Sequence, residues 1–131
     1  MADVNRGNRP LSPFMLGSAY RFQWTSVTSI LTRITGNALI VATALIVWWL
    51  LAASTSPAAF AHADAVLRSW FGDLVLLGSV WALWYHSLAG LRHLIWDTGR
   101  MLEIHVAERS GQAIVALSFV LTALTVAILW T

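Results

Sequence analysis

The chain has 131 residues, of which 58% are hydrophobic and 11% are charged, and its formal net charge is +2. This composition is typical of a membrane protein rather than of a soluble domain. Because the chain contains no cysteine, a disulfide framework, a thiolate metal site and an iron–sulfur cluster of its own are excluded, and its few, dispersed arginines argue against a nucleic-acid partner.

The first 28 residues are polar and precede the apolar part of the chain. Residues 9–13 (RPLSP) contain two prolines, which favour irregular or extended backbone. We therefore expect residues 1–28 to form an N-terminal segment outside the membrane.

Three apolar stretches follow, each close to the ~20 residues that a helix needs to cross the hydrocarbon core of a bilayer. The predicted spans are residues 34–53, 72–94 and 112–130. The sequence therefore predicts an all-α membrane protein in which residues 1–131 form a single three-helix domain.

The two connections between these spans differ in character. Residues 54–71 contain Pro57, which is expected to end the first helix, and residues 58–70 are long enough for a short interfacial helix. Residues 95–111 are charged and are expected to form a loop.

Arginine placement predicts the orientation of the helices. Four arginines lie at or before the start of the first span and two lie in residues 95–111, whereas residues 54–71 contain only Arg68. The excess of positive charge on the cytoplasmic side of membrane proteins then places the N-terminus and the second connection in the cytoplasm.

The second span carries a polar stripe. His86, Gly90, His93 and Asp97 are spaced i, i+4, i+7 and i+11 and so share one helix face. An ionisable side chain at membrane depth is costly to bury, which favours a functional site. At 1.5 Å per residue His86 lies roughly 21 Å from the outer end of the span, and Gly90 leaves room beside it for a flat, bulky ligand.

Three roles are open to His86 on this pattern. A neutral imidazole can ligate haem iron, relay protons, or hydrogen-bond a neighbouring helix. His86 and His93 cannot both ligate one haem, because they lie on the same face about 10 Å apart. The other spans contain no histidine, and His62 and His105 are predicted to lie in loops, so a second ligand would have to come from another chain.

Three cationic or ionisable side chains are predicted near the cytoplasmic ends of the first two spans. Arg33, Arg92 and His93 suit carboxylates such as haem propionates, although interfacial anchoring is the commoner use of arginine there. Asp97 follows His93 by four residues and either orients its ring or pairs with Arg100.

Ser29 and Arg33 are spaced i, i+4 near the start of the first span. A hydroxyl beside a cation at a membrane interface suits a carbonyl-bearing amphiphile such as a quinone. The competing interpretation is a helix start capped by serine, with an anchoring arginine.

A polar stripe such as that of the second span must face protein or a cofactor rather than lipid. Three helices are too few to enclose it, so the residues alone already predict a membrane partner.

Three motifs in this order resemble the cytochrome b membrane-anchor subunit of succinate dehydrogenase, respiratory complex II. They are residues 9–13 (RPLSP), 29–36 (SILTRITG) and 86–97 (HSLAGLRHLIWD). The resemblance extends from about residue 9 to the end of the chain and includes the order of the three spans. It implies a heterodimeric helix-bundle anchor in a bacterial cytoplasmic membrane, bound to an iron–sulfur subunit and a flavoprotein subunit.

The resemblance also implies roles for individual residues. His86 matches the axial ligand of haem b, whose opposite ligand comes from the second anchor subunit. Ser29 and Arg33 match positions that line the ubiquinone site, and His93 with Arg33 matches positions near the haem propionates. Many members have histidine where this chain has Thr32, so a contact made by that histidine is absent here.

The implied function is a haem- and ubiquinone-binding anchor of succinate:quinone oxidoreductase that does not itself oxidise succinate. The alternatives are a haem-free structural anchor, the anchor of a fumarate reductase, and a small transporter with His86 in a proton relay. The sequence shows no inverted repeat, a feature that would favour the transporter.

Overall fold

The computed structural model describes residues 22–129, and every regular element within them is a helix. In chain order these are α1 (Trp24–Thr55), α2 (Pro57–Leu67), α3 (Trp70–Asp97) and α4 (Ile104–Leu129). Three of them, α1, α3 and α4, are long and apolar enough to cross a membrane. The all-α class and the three spans predicted from the sequence are therefore confirmed, whereas the RPLSP segment lies outside the described residues.

Serine side chains cap the starts of α2 and α3. Ser56 separates α1 from α2 and accepts a hydrogen bond from the amide of Ala59 at 3.1 Å, and Pro57 occupies the first position of α2. Ser69 likewise accepts from the amide of Gly72 at 3.1 Å at the start of α3. Both serines are N-caps that satisfy amides left free at a helix start. Helix α1 ends before Pro57, as predicted, and Pro57 is the first residue of α2.

Helix α3 lies between α1 and α4 and packs against both, while α2 covers one end of α1 and α3. The buried residues are mostly small, namely Ala52, Ala63, Gly72, Ala82, Ala89, Ala107, Gly111, Ser118 and the three threonines Thr28, Thr35 and Thr122. Tyr85 is the largest fully buried side chain. Small residues let membrane helices approach closely, and the large aliphatic side chains are left on the outer surface of the bundle.

Hydrogen bonds from three aromatic side chains of α3 join it to the neighbouring helices. Trp81 Nε1 donates to the hydroxyl of Ser118 at 3.1 Å, and Trp84 Nε1 donates to the hydroxyl of Thr125 at 3.0 Å, both across α3 and α4. The Tyr85 hydroxyl donates to the carbonyl oxygen of Thr28 at 2.9 Å across α3 and α1. These three donors are therefore paired, as an apolar solvent requires.

The helices are longer than the sequence predicted. Helix α1 begins at Trp24 rather than near residue 34, and α4 begins at Ile104 rather than near residue 112. The predicted loop of residues 95–111 is therefore reduced to residues 98–103, where Gly99 and Met101 adopt left-handed backbone with φ of 76° and 59°.

Two histidines predicted to lie in loops are helical instead. His62 lies in α2 and His105 in the first turn of α4. Both are exposed, and His105 lies 3.3 Å from the carboxylate of Glu103.

Candidate functional site

The imidazole of His86 is held by one turn of α1. Its Nδ1 lies 3.1 Å from the carbonyl oxygen of Thr32 and 3.3 Å from the hydroxyl of Thr35. A carbonyl oxygen only accepts hydrogen bonds, so Nδ1 carries the proton in the neutral ring. The Nε2 atom is then unprotonated and has a free electron pair, which is the state that a metal ligand requires.

His86 opens onto a groove on one side of the α1–α3 pair. The groove has a volume of about 350 Å³ and is lined by Gly36, Leu39, Ile40, Thr43 and His86. Apart from His86 and the Thr43 hydroxyl, which donates to Leu39 within its own helix at 2.8 Å, its walls are apolar. The arrangement suits a largely apolar ligand that needs one nitrogen donor.

The glycine against the His86 ring is Gly36 on α1. A Cβ atom added at Gly36 would lie 3.0 Å from His86 Cε1 and 3.5 Å from Nδ1. Gly90, which the sequence analysis selected, would place a Cβ atom in open space, with nothing within 4 Å. Gly90 thus leaves room on this face, but the ring itself packs on a residue that sequence spacing within α3 did not reveal.

Ser29 and Arg33 lie on the same face of α1 as Gly36, because the three are spaced i, i+4 and i+7. They precede Gly36 by seven and three residues, which is about 10 Å and 5 Å along the helix axis. The proposed quinone residues and the His86 groove therefore share one side of the molecule.

The interpretation of Ser29 as a helix cap is wrong. Helix α1 begins at Trp24 and is preceded by Gln23, whose amide and carbonyl contact the hydroxyl of Ser26. Within residues 22–129 the side chains of Ser29 and Arg33 form no hydrogen bond or ion pair, and Arg33 is exposed. Both side chains are therefore free, on the part of the chain that the structure describes, to bind a ligand.

The neighbouring threonines differ from Ser29. The hydroxyls of Thr28, Thr32 and Thr35 donate to carbonyl oxygens one turn earlier in α1, at 3.0, 2.8 and 2.8 Å. These side chains are satisfied inside the helix, so among these four residues only Ser29 has a hydroxyl without a hydrogen-bond partner in residues 22–129.

His93 continues the polar stripe toward the end of α3. It is exposed, and its ring contacts the Trp96 ring edge-on with centroids 5.0 Å apart. Among the described residues, Asp97 forms no ion pair with His93 or with Arg100, so neither predicted role of Asp97 is observed.

Arg92 does not belong to the cationic group predicted with Arg33 and His93. It is only 5% exposed, and its guanidinium lies over the Trp96 ring at 4.5 Å. Arg92 follows Tyr85 and Ala89 at i+7 and i+3, so it occupies the buried face of α3, and its Nε has no hydrogen-bond partner among residues 22–129. Position along the chain placed Arg92 near the end of the span with His93, but it did not show that Arg92 lies on the buried face of α3.

The four histidines of the chain do not form a cluster. Residues 22–129 contain no group of three His, Cys, Asp or Glu side chains that could hold a metal ion. His86 is thus a single nitrogen donor, and a six-coordinate metal centre at this position needs its second axial ligand from outside the described residues.

Comparison with known proteins is consistent with this geometry. Residues 5–125 match the family described as "Succinate dehydrogenase/Fumarate reductase transmembrane subunit". A succinate dehydrogenase cytochrome b556 subunit of Paracoccus denitrificans is 61% identical over 125 residues, which cover 95% of this chain and 95% of the relative. The cytochrome b560 subunit of Reclinomonas americana is 36% identical over 120 residues, covering 88% and 82%. The mitochondrial cytochrome b560 subunit of Sus scrofa is 35% identical over 116 residues, covering 85% and 66%.

Proposed function

The chain belongs to the succinate dehydrogenase/fumarate reductase transmembrane subunit family, and on this premise we propose that it binds haem b and ubiquinone. It is a multi-pass membrane protein and a membrane-anchor subunit of this enzyme family. The observation that carries the proposal is the imidazole of His86, whose Nδ1 lies 3.1 Å from the Thr32 carbonyl oxygen at the wall of an apolar groove.

The groove at His86 fits a haem. One imidazole nitrogen is available, the walls are apolar, and Gly36 keeps the space beside the ring open. Bound haem would supply one-electron oxidation and reduction. His86 would provide one axial ligand, and the Thr32 carbonyl would hold the ring in the ligating tautomer.

A second membrane-anchor subunit is proposed to provide the opposite axial ligand. His93 lies on the same α3 face as His86, and His62 and His105 are exposed in other helices. His86 is the only one of the four histidines that lines the groove, so a second nitrogen donor to a bound haem would have to come from another chain. The open side of the groove therefore corresponds to an interface within a heterodimeric anchor.

Ser29 and Arg33 are proposed to bind ubiquinone. A quinone carbonyl accepts hydrogen bonds, and these residues offer a hydroxyl and a guanidinium on one face of α1 without competing partners among residues 22–129. Arg33 with His93 would in addition lie near the haem propionates, which carry negative charge.

The soluble part of the enzyme is proposed to dock at the N-terminal end of α1 and at residues 98–103. Arginine placement puts these regions on the cytoplasmic side, and the bacterial relative favours a cytoplasmic membrane. Succinate oxidation would belong to the flavoprotein and iron–sulfur subunits, whereas this chain would receive their electrons at the quinone site.

An absorbance spectrum of the purified complex tests the haem proposal. The reduced-minus-oxidised spectrum should contain a b-type band that disappears in His86→Ala and persists in His62→Ala, which changes an exposed histidine of α2. A wild-type complex without this band would overturn the proposal and favour a haem-free anchor.

A further inference from the structure

A close contact between three helices lies on the buried side of the bundle. Gly111 on α4 is buried, and a Cβ atom added there would lie 3.0 Å from Thr28 Cγ2 on α1 and 3.0 Å from Arg92 Nη1 on α3. Few side chains in proteins tolerate so short an approach. The absence of a side chain at Gly111 therefore sets how closely α4 approaches α1.

Thr28 is fixed from several directions. Its hydroxyl donates to the Trp24 carbonyl at 3.0 Å, and its own carbonyl accepts from the Tyr85 hydroxyl at 2.9 Å. Because threonine is branched at Cβ and its hydroxyl is already bonded, the Cγ2 methyl cannot rotate away from α4. The turn of α1 that contains Thr28 is thus held by α3 on one side and by α4 on another.

This turn also carries Ser29. We propose that Gly111 is a positioning residue for the quinone site, because its missing side chain sets the location of the α1 turn that presents the Ser29 hydroxyl. The inference rests on the proposed binding of quinone by Ser29 and extends it to a residue on another helix that touches no ligand.

The two contacts of Gly111 respond differently to an added methyl group. Arg92 Nη1 is the far end of a flexible side chain and moves at little cost. Thr28 Cγ2 is bonded to Cβ, one bond from the backbone, so relief of that contact requires α1 and α4 to move apart by a few tenths of an ångström. Such a shift moves the Ser29 hydroxyl, and binding is sensitive to displacements of this kind.

The test is a methyl exchange between the two helices in the intact membrane complex. Gly111→Ala adds a methyl group and Thr28→Ser removes the one it meets, so the double variant restores the number of methyl groups at the contact. We expect Gly111→Ala to raise the KM for a short-chain ubiquinone about three- to tenfold without changing succinate oxidation by a soluble dye. The double variant should return the KM to near the wild-type value.

Gly78→Ala is the matched control, because a Cβ atom at Gly78 on α3 has nothing within 4 Å. An unchanged KM in Gly111→Ala, an equal rise in Gly78→Ala, or no recovery in the double variant would each overturn the inference. If the complex with Gly111→Ala does not assemble, Thr28→Ser alone should raise the KM, because it leaves a gap at the contact. An unchanged KM in Thr28→Ser would count against the positioning role of Gly111.

Ser29→Ala, measured in parallel, separates the two proposals. If Ser29→Ala raises the KM while Gly111→Ala does not, only the positioning role of Gly111 is wrong. If Ser29→Ala leaves the KM unchanged, the quinone assignment itself is wrong.

Discussion

His86 is tied to the main chain of α1 through Thr32, because its Nδ1 lies 3.1 Å from the Thr32 carbonyl oxygen. The acceptor is the peptide group, so it is present whichever side chain occupies position 32. Threonine at position 32 is therefore compatible with an oriented imidazole at His86.

Haem binding should therefore depend on Gly36 and not on the Thr32 side chain. Thr32→Ala keeps the carbonyl and should retain haem, whereas Gly36→Ala places a Cβ atom 3.0 Å from His86 Cε1 and should lower haem affinity about tenfold. The measurement is haem per flavin in the purified complex, with Gly78→Ala as the control for adding a methyl group to a membrane helix. Equal haem content in Gly36→Ala and wild type would show that the ring does not depend on this glycine.

The unpaired hydroxyl of Ser29 should contribute to quinone binding. Ser29→Ala removes one hydrogen bond, which is worth ~1 kcal/mol, so the KM for ubiquinone should rise about fivefold while dye-linked succinate oxidation stays unchanged. Ser54→Ala is the matched control, because Ser54 is exposed near the other end of α1 and donates to Leu51 within its own helix at 2.9 Å. A similar KM in the two variants contradicts the assignment.

Arg33 should also influence the haem through its charge. A cation near the haem favours the reduced form, which carries one positive charge less. Arg33→Gln should therefore lower the midpoint potential of the haem, measured by a redox titration of the b-type band, whereas Arg33→Lys should largely preserve it. A midpoint potential that does not change in Arg33→Gln would place the guanidinium away from the haem.

The hydrogen bond from Tyr85 to the Thr28 carbonyl should stabilise the packing of α3 on α1. Tyr85→Phe removes the fully buried donor and should destabilise the complex by ~1 kcal/mol, within the range of about 0.6–2 kcal/mol known for hydrogen bonds between membrane helices. Thermal inactivation in detergent measures the effect. Trp84→Phe removes a bond between α3 and α4 instead, so it should lower stability without changing the quinone KM.

The sequence alone predicted a site at His86 and a second subunit, because an ionisable side chain within an apolar span is costly to bury, and both stay predictions. The starts of the helices were harder to predict. Residues 24–33 contain several Ser and Thr, which suggested a segment outside the span. In the structure the hydroxyls of Thr28 and Thr32 donate to carbonyls of their own helix, so these residues are compatible with a membrane helix.

Gly36, Arg92 and Gly111 could not be assigned from spacing. Each depends on a contact between helices: Gly36 with His86 and Gly111 with both Thr28 and Arg92. Periodicity places residues on a face of one helix, but it does not say which face of the next helix lies opposite. Contacts between helices therefore show that Gly36 adjoins the His86 ring and that Arg92 is buried.

The bond between His86 and the Thr32 carbonyl has a consequence for biogenesis. It satisfies the N–H group of the imidazole within this chain, so in a newly inserted anchor the His86 ring presents one unpaired nitrogen to its surroundings. On the proposed function, the imidazole is already oriented before the haem and the second subunit arrive, and insertion of this chain does not have to wait for either.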